Sequence, residues 1–177
     1  MKRDIQHIDD DIIRKKRRIE EILYSDEDII EVLDNKSLDP TVPEDYVGEN
    51  IFGFLRVPGV QDTSKNFITF TIDDMGLMPG NQVMKSQHVQ FVVFVHKDMV
   101  KTDYGMERHD LLGYLIRDIF NLSNKLGPQM ELVSNREGIT DRDFYTRTLK
   151  FELIDDNSTK SCRTNPYEYD RIVGHRR

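Results

Sequence analysis

The residues whose types and spacing could support chemistry in this sequence are carboxylates. Asp73 and Asp74 close an alternating apolar run, and Glu131, Glu137 and Asp141 lie in and beside a later one. Two such acids brought together could hold Mg²⁺ for phosphodiester cleavage. A nuclease strand of the restriction type carries a lysine two residues after its acid, and the strings Glu131-Leu132-Val133 and Glu152-Leu153-Ile154 lack it. Acids that cap strand ends and keep loops soluble account for the same residues. The histidines His7, His88, His96, His109 and His175 form no HExxH and no close HxH pair, although His88 and His96, eight residues apart, fall on one face of a strand. Scattered glycines give neither GxxxxGK[ST] nor GxGxxG, which excludes a P-loop. No GxSxG occurs and Cys162 has no glycine flanks, so no nucleophile elbow is present. The expectation is a non-enzymatic protein with no catalytic, metal or cofactor residues; the alternative is a metal-dependent, nuclease-like enzyme that uses those acids.

Charge offers two further features. Arg14-Lys15-Lys16-Arg17-Arg18 is a run of cations that could bind phosphates. Consecutive residues point all around a helix, however, and the pairs Asp10–Arg14, Asp11–Lys15 and Arg17–Glu21 would absorb much of the charge. A salt-bridged, solvated face is the preferred reading over a nucleic-acid site. The net charge of -7, from 32 acids and 25 bases, argues against a surface that grips nucleic acid throughout. Arg147 interrupts the apolar face made by Tyr145, Leu149, Phe151 and Leu153, which places it either near a sheet end or in a pair across an interface.

The elements that must position these residues are legible from periodicity. Ile5, Ile8, Ile12, Ile19, Ile22 and Leu23 define one stripe of a helix over 4–24, and Ser25 reads as the N-cap of a short second helix, so the two form an α-hairpin. Turn formers fill 34–50. Strands are expected over 51–57 and 66–72, able to pair through the polar loop around Asp62, with a loop over 75–85. The apolar run 89–95 reads as a central strand buried on both faces. A helix over 107–121 should lie across the sheet, and Gly127-Pro128 stops it. Two closing strands, 130–134 and 145–154, are joined by a polar stretch in which Gly138 marks a tip or bulge. The expected organisation is a helical hairpin over 1–35, an α+β sheet domain over 50–155 and a polar extension over 156–177. With 177 residues and one cysteine, a single domain without an internal disulfide is expected. Charges from Asp4 onward leave no leader-like run, no stretch reaches the ~20 apolar residues of a membrane span, and cytoplasmic synthesis without membrane contact is expected.

The order helix, strands, long apolar strand, helix, two strands resembles the tail-terminator and tail-completion proteins of long-tailed bacteriophages. The resemblance is carried by Ile116-Arg117-Asp118-Ile119-Phe120-Asn121, by Met130-Glu131-Leu132-Val133-Ser134-Asn135-Arg136-Glu137-Gly138 and by Tyr145-Thr146-Arg147-Thr148-Leu149-Lys150-Phe151. It implies a small α+β protomer that builds a ring, usually hexameric, at the head-proximal end of the tail tube. Such a ring stops tube polymerisation and joins the tail to the neck. The implied neighbours are further copies of the chain, the tail-tube protein, a neck or head-completion protein and the sheath, with DNA passing through the lumen without specific binding. Arg136, Glu137, Asp141, Arg142 and Arg147 are the interface residues this reading selects.

Overall fold

The computed structural model describes residues 10–58, 65–140 and 143–157. The fold is α+β, with three α-helices and a mixed five-stranded sheet. Helix α1, Asp11–Tyr24, begins where the Asp10 side chain accepts a hydrogen bond from the Ile13 N–H at 3.0 Å; the part expected over 4–9 lies outside the described residues. Helix α2, Glu27–Leu33, is capped by Asp26, whose carboxylate accepts from the Ile29 N–H at 3.0 Å. Ser25, expected in that role, instead closes α1. Asp26 holds the orphan N–H groups of the first turn with a full charge near the positive end of the helix, which a serine hydroxyl cannot match.

Past a 3-10 turn at Pro43–Tyr46, strand β1 comprises only Ile51–Phe52. The expected strand over 51–57 therefore ends early: the Gly53 carbonyl accepts from Lys16 Nζ at 2.7 Å, and Phe54, Leu55 and Val57 turn out to solvent. β1 runs parallel to β2, with Ile51 opposite Ile68, so the two are not a hairpin. A parallel pair cannot be closed by a tight turn.

Strands β2, Phe67–Leu77, and β3, Met84–His96, form a long antiparallel hairpin. Most of the loop expected over 75–85 is thus strand. Gly76 does not end β2 because a bulge between Asp74 and Gly76 absorbs it, and the tip is tightened by Asn81, whose side-chain oxygen accepts from the Val83 and Met84 N–H groups. Helix α3, Arg108–Phe120, crosses the sheet; it stops before Gly127-Pro128, at Asn121 and a left-handed Leu122. Strands β4, Met130–Thr140, and β5, Phe144–Asp156, are a second hairpin. The polar residues 135–140 pair with β5 rather than forming a loop, and Gly138 sits within β4 opposite Thr146; the bulge lies between Leu132 and Ser134. Asp156 still pairs with Met84, and the polar extension from 158 onward lies outside the described residues.

The sheet order β1-β2-β3-β5-β4 puts β3 at the centre, as its apolar run requires. One sheet face carries Phe70, Phe91, Leu149 and Phe151 into a core shared with Ile19 and Leu23 of α1, Ile29 and Leu33 of α2, and Ile116 and Phe120 of α3. The other face has a small apolar cluster of Phe52, Phe67, Val92, Phe94 and Phe144, with the Arg56 guanidinium 4.5 Å from the Phe52 ring. Away from that cluster this face is mostly polar, with Ile154 and Met84 as its apolar members.

Candidate assembly surface

The cation run is dispersed by the helix that carries it. Lys15 is buried, and its Nζ donates to Asp11 at 2.9 Å, to Gln87 of β3 at 2.5 Å and to Asp155 of β5. Gln87 in turn donates to Asp11 and to Asp74, and Lys85 lies 3.4 Å from Asp74 and 3.5 Å from Asp11. The cluster ties α1 to the root of the β2–β3 arm. Burial by itself would raise the Asp11 carboxyl, but the hydrogen bond and charge of Lys15, joined by Gln87 and Lys85, outweigh it and hold the group below its ordinary value. Lys16 is spent on Gly53, while Arg14 pairs with Asp11 and Arg18 with Glu21. The expected Asp11–Lys15 pair is present, and the run does not present one continuous phosphate-binding face.

Arg147 is paired within the protomer. Its side chain passes under α3 at Gly113, where a Cβ would stand 2.8 Å from the Arg147 Cγ, and its guanidinium reaches Asp110 at 3.0 Å and Glu137 at 4.0 Å. His109 completes the group: it is buried, stacks on Tyr145 at 5.8 Å between centroids, and brings Nε2 to 3.4 Å from Glu137. Helix α3 is therefore fixed to β4 and β5 by a mixed-charge cluster. Asp141 and Arg142 lie outside the described residues.

The acids proposed for a metal are spread apart by the sheet register. Asp73, His88, Glu152 and Glu131 occupy one cross-strand row on the polar face, in that order. With strands ~4.8 Å apart, Asp73 and Glu131 are ~14 Å from each other. Asp74 belongs to the Lys15 cluster and Glu137 to the Arg147 cluster. His88 and His96 share a strand face but are ~27 Å apart along it. Among the described residues no three His, Cys, Asp or Glu side chains gather into a possible metal site. A groove of about 640 Å³ lies between α2, the loop after it and residues 101–104, lined by Tyr46, Lys101, Tyr104 and Arg108. Its inner wall is structural, since Arg108 donates to the carbonyls of Met99 and Val32 and to Asp34.

What the molecule presents outward is sheet edge. β1 covers β2 only at Ile68 and Thr69, so from Phe70 to Leu77 the outer edge of β2 has no strand beside it among the described residues. β4 is the opposite edge; the segment after α3 bonds to it at Met130 and Leu132, and from Val133 to Thr140 no strand lies beside it among the described residues. Each edge carries exposed apolar side chains: Met75 and Leu77 on β2, Val133 and Ile139 on β4. Arg136 and Glu137 stand on β4, so two of the sequence-selected interface residues are on an edge; Arg147 is not, because it sits on β5 between β3 and β4 and pairs with Asp110 of α3.

The YomW family profile matches residues 26–153. The chain belongs to the YomW family. That family is of phage origin, so the protein is phage-related. The matched span begins at the α2 N-cap and ends within β5; it takes in α2, α3, β1 to β4 and most of β5 and leaves α1 outside. No curated protein matches the chain. No helix among the described residues is long and apolar enough to cross a membrane.

Sequence reasoning missed Lys15 and Gly113 as positions that fix the assembly of elements. Lys15 was hidden in a run whose members look alike, although its i+4 and i+8 relation to Ile19 and Leu23, the buried stripe of α1, was a usable signal. Gly113 inside an apolar helix was another, because an interior glycine costs helix stability unless something must approach closely.

Proposed function

We propose that this protein is a structural, non-enzymatic virion subunit that forms a ring at the head-proximal end of a phage tail, ends tail-tube polymerisation and joins the tail to the neck. The observation that carries the reading is a phage-family protomer that resembles tail terminators in its order of elements and has, among its described residues, two open, oppositely placed sheet edges. Heterologous patches of this kind generate rings when the rotation between copies closes. The partners under this reading are further copies of the chain, the tail-tube protein and a neck protein, with the sheath as a further neighbour. DNA slides through a lumen that the net charge of -7 keeps from binding it.

The test is tube assembly. Purified tail-tube protein is polymerised with and without this chain, and tube lengths and ends are imaged. The expected result is shorter tubes with one end capped by a ring; tubes of unchanged length with bare ends would overturn the assignment. A nuclease assay with Mg²⁺ or Mn²⁺ on the same preparation, with Asp73→Ala and Asp74→Ala as controls, separates the enzyme alternative, which requires turnover that both substitutions abolish.

A further inference from the structure

From the two open edges we infer that copies of this chain join by β-strand addition, the outer edge of β2 in one copy pairing antiparallel with β4 of the next, in a register that sets Asp73 against Arg136. This rests on the ring reading above and specifies its interface.

Three observations fix the choice. The first is polarity. In the order β1-β2-β3-β5-β4 the pairs β2–β3, β3–β5 and β5–β4 are all antiparallel, so β2 and β4 run in opposite directions. Side-by-side copies related by rotation about an axis along the strands therefore meet as an antiparallel pair and continue one sheet. The second is charge. Asp73 and Arg136 are both exposed and both point to the polar face of the sheet, Asp73 in the row of His88 and Arg136 in the row of Thr148. Opposing them keeps the two faces of the sheets in phase and makes a cross-strand ion pair. The third is the bulges. β2 is interrupted between Asp74 and Gly76, and β4 between Leu132 and Ser134. In the register that opposes Asp73 to Arg136, the bulged residues Met75 and Val133 come within one position of each other. They are 56% and 49% exposed in the single copy, so the same register covers two apolar side chains. The occupant favoured by these features is a second copy, because the complementary charge, direction and bulge are all supplied by this chain's own opposite edge.

The test uses the full chain with Cys162→Ser, then Asp73→Cys and Arg136→Cys in the same molecule. Within one copy these positions are separated by three strand spacings across the sheet and by four residues along it, ~19 Å in all, beyond the ~7 Å reach of a disulfide. Oxidation should give ladders of covalently linked copies that collapse on reduction; linkage no greater than in the Cys162→Ser parent would overturn the inference. Charge substitutions give an independent reading. Arg136→Asp and Asp73→Arg should each raise the concentration needed for assembly about ten-fold or more, by placing like charges together. An equimolar mixture of the two restores assembly, since every junction in an alternating ring then pairs opposite charges. Single variants that assemble like the parent, or a mixture that does not recover, would overturn the register. If the parent itself stays monomeric alone and with tail-tube protein, the ring reading fails; if the parent forms rings that ignore all these changes, the ring stands and its junction lies elsewhere.

Discussion

Among individual residues, Lys15 shows how neighbours decide what a cation does. Its four companions in the basic run lie on the rim of the helix, whereas Lys15 is 3% exposed and held by Asp11, Gln87 and Asp155. Removing one member of such a buried cluster leaves its partners short of hydrogen bonds. Lys15→Ala should lower the unfolding free energy by about 3 kcal/mol, the low end of the usual cost because Asp11 and Asp155 keep some contact with water; urea denaturation measures it. The cluster also sets a pH dependence. The Asp11 carboxyl is held below its ordinary value, so the stability it contributes is complete above the ordinary aspartate range and is lost as pH falls through the lower folded value. Glu20 has the opposite sign: burial raises its carboxyl against the pull of Lys16 and Arg17, so its protonation favours the fold. Urea midpoints between pH 7 and pH 3 should therefore fall less steeply at the acid end in Asp11→Asn than in the parent. An identical acid slope would remove Asp11 from the account. The charges were all legible in the sequence, but which cation is buried was not, because burial depends on where β3 and β5 lie against α1.

At the scale of elements, the attachment of α3 turns on a glycine. Alanine in place of Gly113 would gain about 1 kcal/mol in helix propensity, but its Cβ would meet the Arg147 Cγ at 2.8 Å. That atom is near the root of the side chain, and Arg147 is tied to Asp110. Gly113→Ala should therefore destabilise by about 1–3 kcal/mol as overpacking does. In an Arg147→Ala background the same change should become neutral or stabilising, and a double-mutant cycle by thermal or urea unfolding reads the coupling. The helices and the central strand were legible because their apolar stripes repeat at helical or strand period over long runs. The outer parts of the strands were not. β4 from Asn135 to Thr140 and β2 from Asp73 to Leu77 are polar or glycine-containing because they form edges and arms with little core to face, and local pattern gives such residues the look of loops. The pairing of β1 with β2 was hidden for a different reason: a two-residue parallel strand has no periodicity to read.

For the whole molecule, one core joins the helical hairpin, the sheet and α3, while among the described residues no strand covers β2 beyond Thr69 or β4 on its outer side. A monomer that leaves two long edges uncovered exposes unpaired backbone groups that invite another strand, and a closed ring satisfies every such edge at once. The candidate metal acids were visible in the sequence, and their separation was not, since it depends on the strand order. The most direct test of the central claim is the mass of the purified protein in solution, measured over a range of concentrations alone and then with its tail-tube protein. A discrete species of one fixed copy number, ring-shaped when imaged, should appear alone or on tube ends. A monomer at every concentration that leaves tubes untouched would contradict it.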